Sequence, residues 1–167
     1  LHRSRDISMF ISKKILTPEI SLGCNMSLDE GEFFHNTQIY TLQPNESYKR
    51  YTNVILGILN SKLFWFYIVN TGSILRGGFF RFKTKYIEDF PLPNLNLINK
   101  DMINSIDTLV SNIMFSKKID FSADTSDEDN EIDILVYHLY GLTYDDVLIV
   151  DPQTMITREE YEKGEGL

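Results

Sequence analysis

The sequence predicts an α+β fold: a small, mostly antiparallel sheet packed with helices, followed by a helical C-terminal segment. Three observations predict it. Short runs of β-forming residues, punctuated by Pro, Gly and Asn, fill the chain from Lys13 to Pro44-Asn45. From Lys49 the apolar residues recur at spacings of three and four, the period of a helix. The last part of the chain is acidic and carries repeated helix start and stop signals.

Lys13-Lys14-Ile15-Leu16-Thr17-Pro18-Glu19-Ile20-Ser21-Leu22 reads as a strand, a Pro break and a second strand. Asp29-Glu30-Gly31-Glu32 reads as a turn, and Phe33 to Gln43 as a further strand. Lys49 to Asn70 reads as one helix, with Val54, Ile55, Ile58, Leu59, Leu63, Phe66 and Tyr67 on its apolar face and Gly72 as a left-handed cap. Phe79 to Lys83 alternates as a strand, and Tyr86 to Phe90 is a short helical turn closed by Pro91-Leu92-Pro93. Leu95 to Lys118 is a second long helix. Capping boxes are expected at Thr125–Glu128, Thr143–Asp146 and Thr157–Glu160, with Gly141 ending the first of these helices. The organisation is therefore a sheet-and-helix body over residues 1–93, a long helix over 94–119 and an acidic helical segment over 120–167.

Composition narrows the function classes. The chain has 167 residues, 43% of them hydrophobic, enough to bury a core. A single cysteine, Cys24, makes no internal disulfide and points to a reducing, cytoplasmic setting with an inert thiol. The apolar run Thr52 to Val69 is interrupted by Asn53, Asn60, Ser61 and Lys62, so a buried helix is expected and no membrane span. The start, Leu1 to Asp6, has no initiator Met or secretory pattern and reads as a segment of a longer chain. The net charge of −8 is divided unevenly: residues 1–90 hold 11 Lys/Arg against 8 Asp/Glu, and residues 91–167 hold 5 against 16. A polyanionic partner is expected to meet the first half.

The sequence holds no dinucleotide or phosphate-binding glycine loop and no nucleophile elbow. His2, His35 and His138 have no ligand spacing, and the acid pairs Asp145-Asp146 and Glu159-Glu160 sit where they favour helix starts. No metal or catalytic set is expected. The stretch with the strongest functional pattern is Ser73 to Lys85. It places Arg76, Arg81, Lys83 and Lys85 among Phe79, Phe80 and Phe82, after Gly77-Gly78. In a strand, Arg81, Lys83 and Lys85 share one face. Such a stripe suits phosphates, and an Arg at a loop tip can reach a guanine edge. A solvated hairpin with a core-facing aromatic side has the same pattern and is the commoner structure. Lys13 and Lys14 add positive charge nearby. Asn36 and Gln38 suit adenine edges, and equally suit closing turns.

These pieces resemble the TaqI-like C-terminal specificity domain of restriction-modification methyltransferases, notably the single-chain type IIG enzymes. The similarity is carried by Lys13 to Ile20, by Phe34 to Tyr40, by LGILNSKLFWFY from Leu56, and by GGFFRFKTKYIEDFPLP from Gly77. The tail LVYHLYGLTYDD from Leu135 extends it, so that it spans roughly residues 10–150. The resemblance implies a bacterial, non-catalytic domain that reads double-stranded DNA for an adenine-type methyltransferase and nuclease in the same chain. It places S-adenosylmethionine in the upstream methyltransferase module, whose Asn-Pro-Pro-Tyr signature is absent here. The implied phosphate contacts are Arg76, Arg81, Lys83, Lys85, Lys13 and Lys14, with Asn36 and Gln38 toward bases. Arg81 has a second expectation, an ion pair with Glu88 or Asp89. The alternative function is a protein-interaction module that docks a catalytic partner without base contacts.

Overall fold

The computed structural model describes residues 7–164; Leu1 to Asp6 lie outside the described residues. The described chain begins with one turn of helix, α1 (Ser8–Ile11), and then builds two three-stranded sheets on one shared segment. β1 (Lys14–Pro18) lies between β3 (Ser27–Asp29) and β4 (Ile39–Leu42), antiparallel to both. β2 (Ile20–Ser21) pairs with β6 (Phe80–Arg81), which also pairs with β5 (Ser73–Ile74). The break expected at Pro18 is present, and Glu19 is the hinge. Its N–H donates to the Gln38 carbonyl at 2.8 Å and its carbonyl accepts from Phe82 N–H at 2.8 Å. Both sheets thus meet at one residue.

Helices cover the sheets. A 3-10 turn at Lys49–Tyr51 leads into α2 (Thr52–Asn60), α3 (Lys62–Thr71) follows, and α4 (Thr84–Glu88) comes after β6. Then come α5 (Lys100–Ile119), α6 (Ser126–Leu139), α7 (Tyr144–Val150) and α8 (Arg158–Lys163). One apolar core runs from Ile15 and Val54 through Phe64, Phe82 and Leu95 to Ile106 and Val136. α2 lies at its centre, with every residue from Val54 to Leu59 buried. Gly57 allows α5 to approach: a side-chain carbon there would lie 3.1 Å from both Ile106 and Val110. No single helix among the described residues is long and apolar enough to cross a membrane.

Several elements differ from expectation, each for a local reason. The helix expected from Lys49 to Asn70 is two helices bent by 61° at Ser61. Ser61 is extended, its hydroxyl caps Phe64 N–H at 3.3 Å, and the freed Lys62 N–H goes to Asp133 at 2.8 Å. Gly72 follows α3 in an extended, not left-handed, conformation; a Cβ there would meet the Ile68 carbonyl oxygen at 2.6 Å. The strand expected over Phe33 to Gln43 is confined to Ile39–Leu42. Asp29 takes the N–H groups of Gly31, Glu32 and Phe33, and the Asn36 side chain takes that of Gln38, so the intervening segment forms a loop. The long helix starts at Lys100, five residues later than Leu95, because Asn99 caps it through Asp101 N–H. The capping boxes at Thr143 and Thr157 form, whereas Thr125 turns its hydroxyl to Asp129 and does not cap α6.

α6 and α7 are tied to α3 by charge as well as by apolar packing. Lys62 Nζ lies 2.9 Å from Asp151 and 3.5 Å from Asp133. Burial pushes the Asp133 carboxyl up to about 6 despite the Lys62 N–H and ammonium beside it. Burial, followed by the Asp133 charge, pushes the Cys24 thiol up to about 12, which keeps it protonated and unreactive.

Candidate nucleic-acid interface

The cationic stretch divides between a hairpin and a helix. β5 and β6 are joined by a three-residue turn, Arg76-Gly77-Gly78, closed by Leu75 N–H to the Phe79 carbonyl at 2.6 Å and Gly78 N–H to the Leu75 carbonyl at 3.3 Å. Gly77 and Gly78 have φ of 85° and 81°, a backbone region open chiefly to glycine. Phe80 and Phe82 face the core, packed against Trp65 at ring distances of 5.2 and 6.2 Å. The strand ends at Arg81. Lys83 is extended at the N-cap of α4, and Lys85 lies inside α4. The shared face expected of Arg81, Lys83 and Lys85 is therefore not formed; a helix takes over at Thr84.

The expected site residues fall into two groups. Arg76, Lys83 and Lys85 are exposed and make no ion pair among the described residues, although Glu88 ends α4 and Asp89 is its C-cap. Lys83 Nζ sits 5.8 Å from the Tyr86 ring centre, an exposed cation over an aromatic face. Arg81 is committed elsewhere. Its Nε lies 3.6 Å from Glu19 Oε1, so the ion pair forms with Glu19 and not with Glu88 or Asp89.

Lys13 is exposed and paired with Glu30 at 2.9 Å. Lys14 is corrected outright as a phosphate contact. Its side chain is 0% exposed and paired with Asp29, whose side chain is 1% exposed. A buried, paired ammonium cannot reach a phosphate in this fold. Burial opposes the Asp29 charge, but the Lys14 ammonium and the N–H groups of Glu32, Phe33 and Gly31 outweigh it and hold the carboxyl below its usual range. Asn36 and Gln38 are exposed on the loop this pair braces. Asn36 Oδ1 accepts from Gln38 N–H at 2.9 Å and Asn36 Nδ2 donates to Gln38 Oε1 at 3.4 Å, so the two side chains are joined to each other and the Gln38 amide nitrogen is left to a partner outside the loop. Through Glu19, Gln38 lies beside the Arg81–Lys83 segment.

Sequence reasoning missed one feature of this region. In register, Ser21 and Phe80 point inward, so Ile20, Leu22, Phe79 and Arg81 face out. Ile20, Leu22 and Phe79 are 43%, 58% and 38% exposed. The alternation around Ser21 was the available signal.

Among the described residues, no group of three or more His, Cys, Asp or Glu is placed to hold a metal ion. An open depression of about 480 Å³ between β4, α2 and α4 has one charged lining residue, Glu88. No curated protein matches the chain. A family model, the TaqI-like C-terminal specificity domain, matches residues 1–92, more than half of the sequence, and includes both sheets, α2, α3 and the hairpin. The chain belongs to the TaqI-like C-terminal specificity domain family.

Proposed function

We propose that this chain reads double-stranded DNA for a bacterial type II restriction-modification enzyme and directs an adenine-type methyltransferase, and a fused nuclease, to its site. Family membership supports sequence recognition as the role. The observation that carries the placement is that Arg76, Lys83 and Lys85, on and beside one hairpin, are exposed and make no ion pair among the described residues. Unpaired cations are the groups that release counterions on meeting phosphates. Gln38 is the base-reading candidate in the same neighbourhood. Lys13 contributes weakly because Glu30 already neutralises it. S-adenosylmethionine and the chemistry belong to the methyltransferase module, and the chain acts in the cytoplasm.

The test replaces Arg76, Lys83 and Lys85 together by Ala in the full-length protein. DNA affinity should fall, and the slope of log affinity against log salt should flatten by about 2 to 3. Unchanged affinity and slope would reject the placement and leave the protein-interaction module as the better reading.

A further inference from the structure

The outward face of the β2–β6–β5 sheet carries an apolar strip at its turn end, with the Arg81–Glu19 pair and Ser73 at the other end. Ile20 and Leu22 flank inward-facing Ser21, and Phe79 precedes inward-facing Phe80. Leu22 and Phe79 lie against the two glycines of the turn. Leu22 Cδ2 is 3.9 Å from where a Gly78 Cβ would stand, and the Phe79 ring is 3.5 Å from the corresponding point at Gly77. Nothing in the described residues covers this strip. Arg76 lies in the adjoining turn and Lys83 and Lys85 follow β6, all exposed and in no ion pair among the described residues.

That combination selects among occupants. A protein surface complementary to it would need an apolar patch ringed by acids. Duplex DNA supplies both features at once, with phosphates on either side of a groove and apolar thymine methyls on its floor. The major groove admits a two-stranded β-ribbon, and the β5–β6 hairpin extends beyond its last paired residues, Ile74 and Phe80, as a narrow glycine turn at the end of the three-stranded sheet. We propose that Leu22 and Phe79, with Ile20 behind them, contact base edges in the major groove and contribute to sequence discrimination, while Arg76, Lys83 and Lys85 hold the phosphates. The inference rests on the DNA-recognition reading above and adds to it a discriminating group that is not charged.

The test uses the full-length protein, its L22A/F79A variant and the R76A/K83A/K85A variant. The probes are a short duplex selected by the wild-type protein from a randomised pool and a scrambled duplex of the same composition. Affinities are measured over a range of salt concentrations. L22A/F79A should lose about tenfold or more on the selected duplex, little on the scrambled one, and keep the wild-type salt slope. Both side chains lie on the outer face, so its thermal midpoint should match the wild type. An unchanged ratio of selected to scrambled affinity overturns the inference and assigns the strip to a protein contact. In that case, loss of binding by R76A/K83A/K85A keeps the DNA reading intact. Binding of neither duplex by the wild-type protein overturns both.

Discussion

The loop after β3 and the hairpin after α3 both turn on glycines of positive φ, yet they use charge in opposite ways. In the first, Lys14 and Asp29 are buried together, and Asp29 also holds three consecutive backbone N–H groups of the loop it begins. Gly31 (φ 101°) fits against the Ile11 carbonyl, and Phe34 stacks on Phe10 at 5.0 Å. The charge there maintains shape. In the hairpin the shape comes from glycines and buried Phe80, and Arg76, Lys83 and Lys85 make no ion pair among the described residues. The difference teaches that a lysine's neighbours in sequence do not decide its role. Adjacent Lys13 and Lys14 are respectively on the surface and in the interior.

The comparison predicts where stability resides. Lys14→Met should cost about 3 to 5 kcal/mol, because it strands a buried carboxylate. The double variant K14M/D29N should regain much of that, and urea unfolding reads both. A loss below about 1 kcal/mol for K14M would mean that the pair is not buried in solution.

The Lys62–Asp133 contact is an intermediate case, since Lys62 is partly exposed. Asp133 protonates near 6 when folded against an ordinary value of 3.8. The folded state therefore takes up the proton first as pH falls. Wild type should gain stability relative to D133N by about 2 kcal/mol between about pH 7.5 and 4.5. A pH-independent difference between the two unfolding curves would contradict the raised value.

Gly77→Ala should cost about 1 kcal/mol through backbone conformation alone, since only the Phe79 ring lies near its Cβ position. Thr143→Ala should cost a similar ~1 kcal/mol by removing a formed capping box, whereas Thr125→Ala should not show a capping loss. The smallest effect sharpens the contrast most. R76A, K83A and K85A should each shift the unfolding free energy by less than about 0.5 kcal/mol while weakening DNA binding. A large stability loss at any of them would move that residue into the structural group with Lys14.

Much of this was legible in the sequence, and the exceptions share a cause. The Pro18 break, the apolar faces of α2 and α5, and the caps at Thr143 and Thr157 are local, so local patterns reveal them. The bend at Ser61 depends on Asp133, far along the chain, receiving Lys62 N–H. The loop from Gly31 to Gln38 has strand-forming composition, but Asp29 and Asn36 divert its backbone donors. Lys14 looked exposed because its partner, Asp29, comes into register only when β1 and β3 pair. In each case a polar side chain outweighed the local pattern, from far along the chain at Ser61 and Lys14 and from within the loop itself at Asp29 and Asn36. Arg76, Lys83 and Lys85 are exposed and make no ion pair among the described residues, whereas Arg81 in the same stretch is held by Glu19. The apolar strip beside them was overlooked because Ile20 and Leu22 were read as ordinary strand residues.

The packing of α5 against Gly57, and the grip of Lys62 on Asp133 and Asp151, bear on how such domains can be exchanged. The family match stops at residue 92, but the core it encloses continues into α5 and α6. A graft cut at that boundary would expose α2 and strand a lysine. Recombinants that keep residues 1–92 together with α5 and α6 should fold, while those divided between them should not.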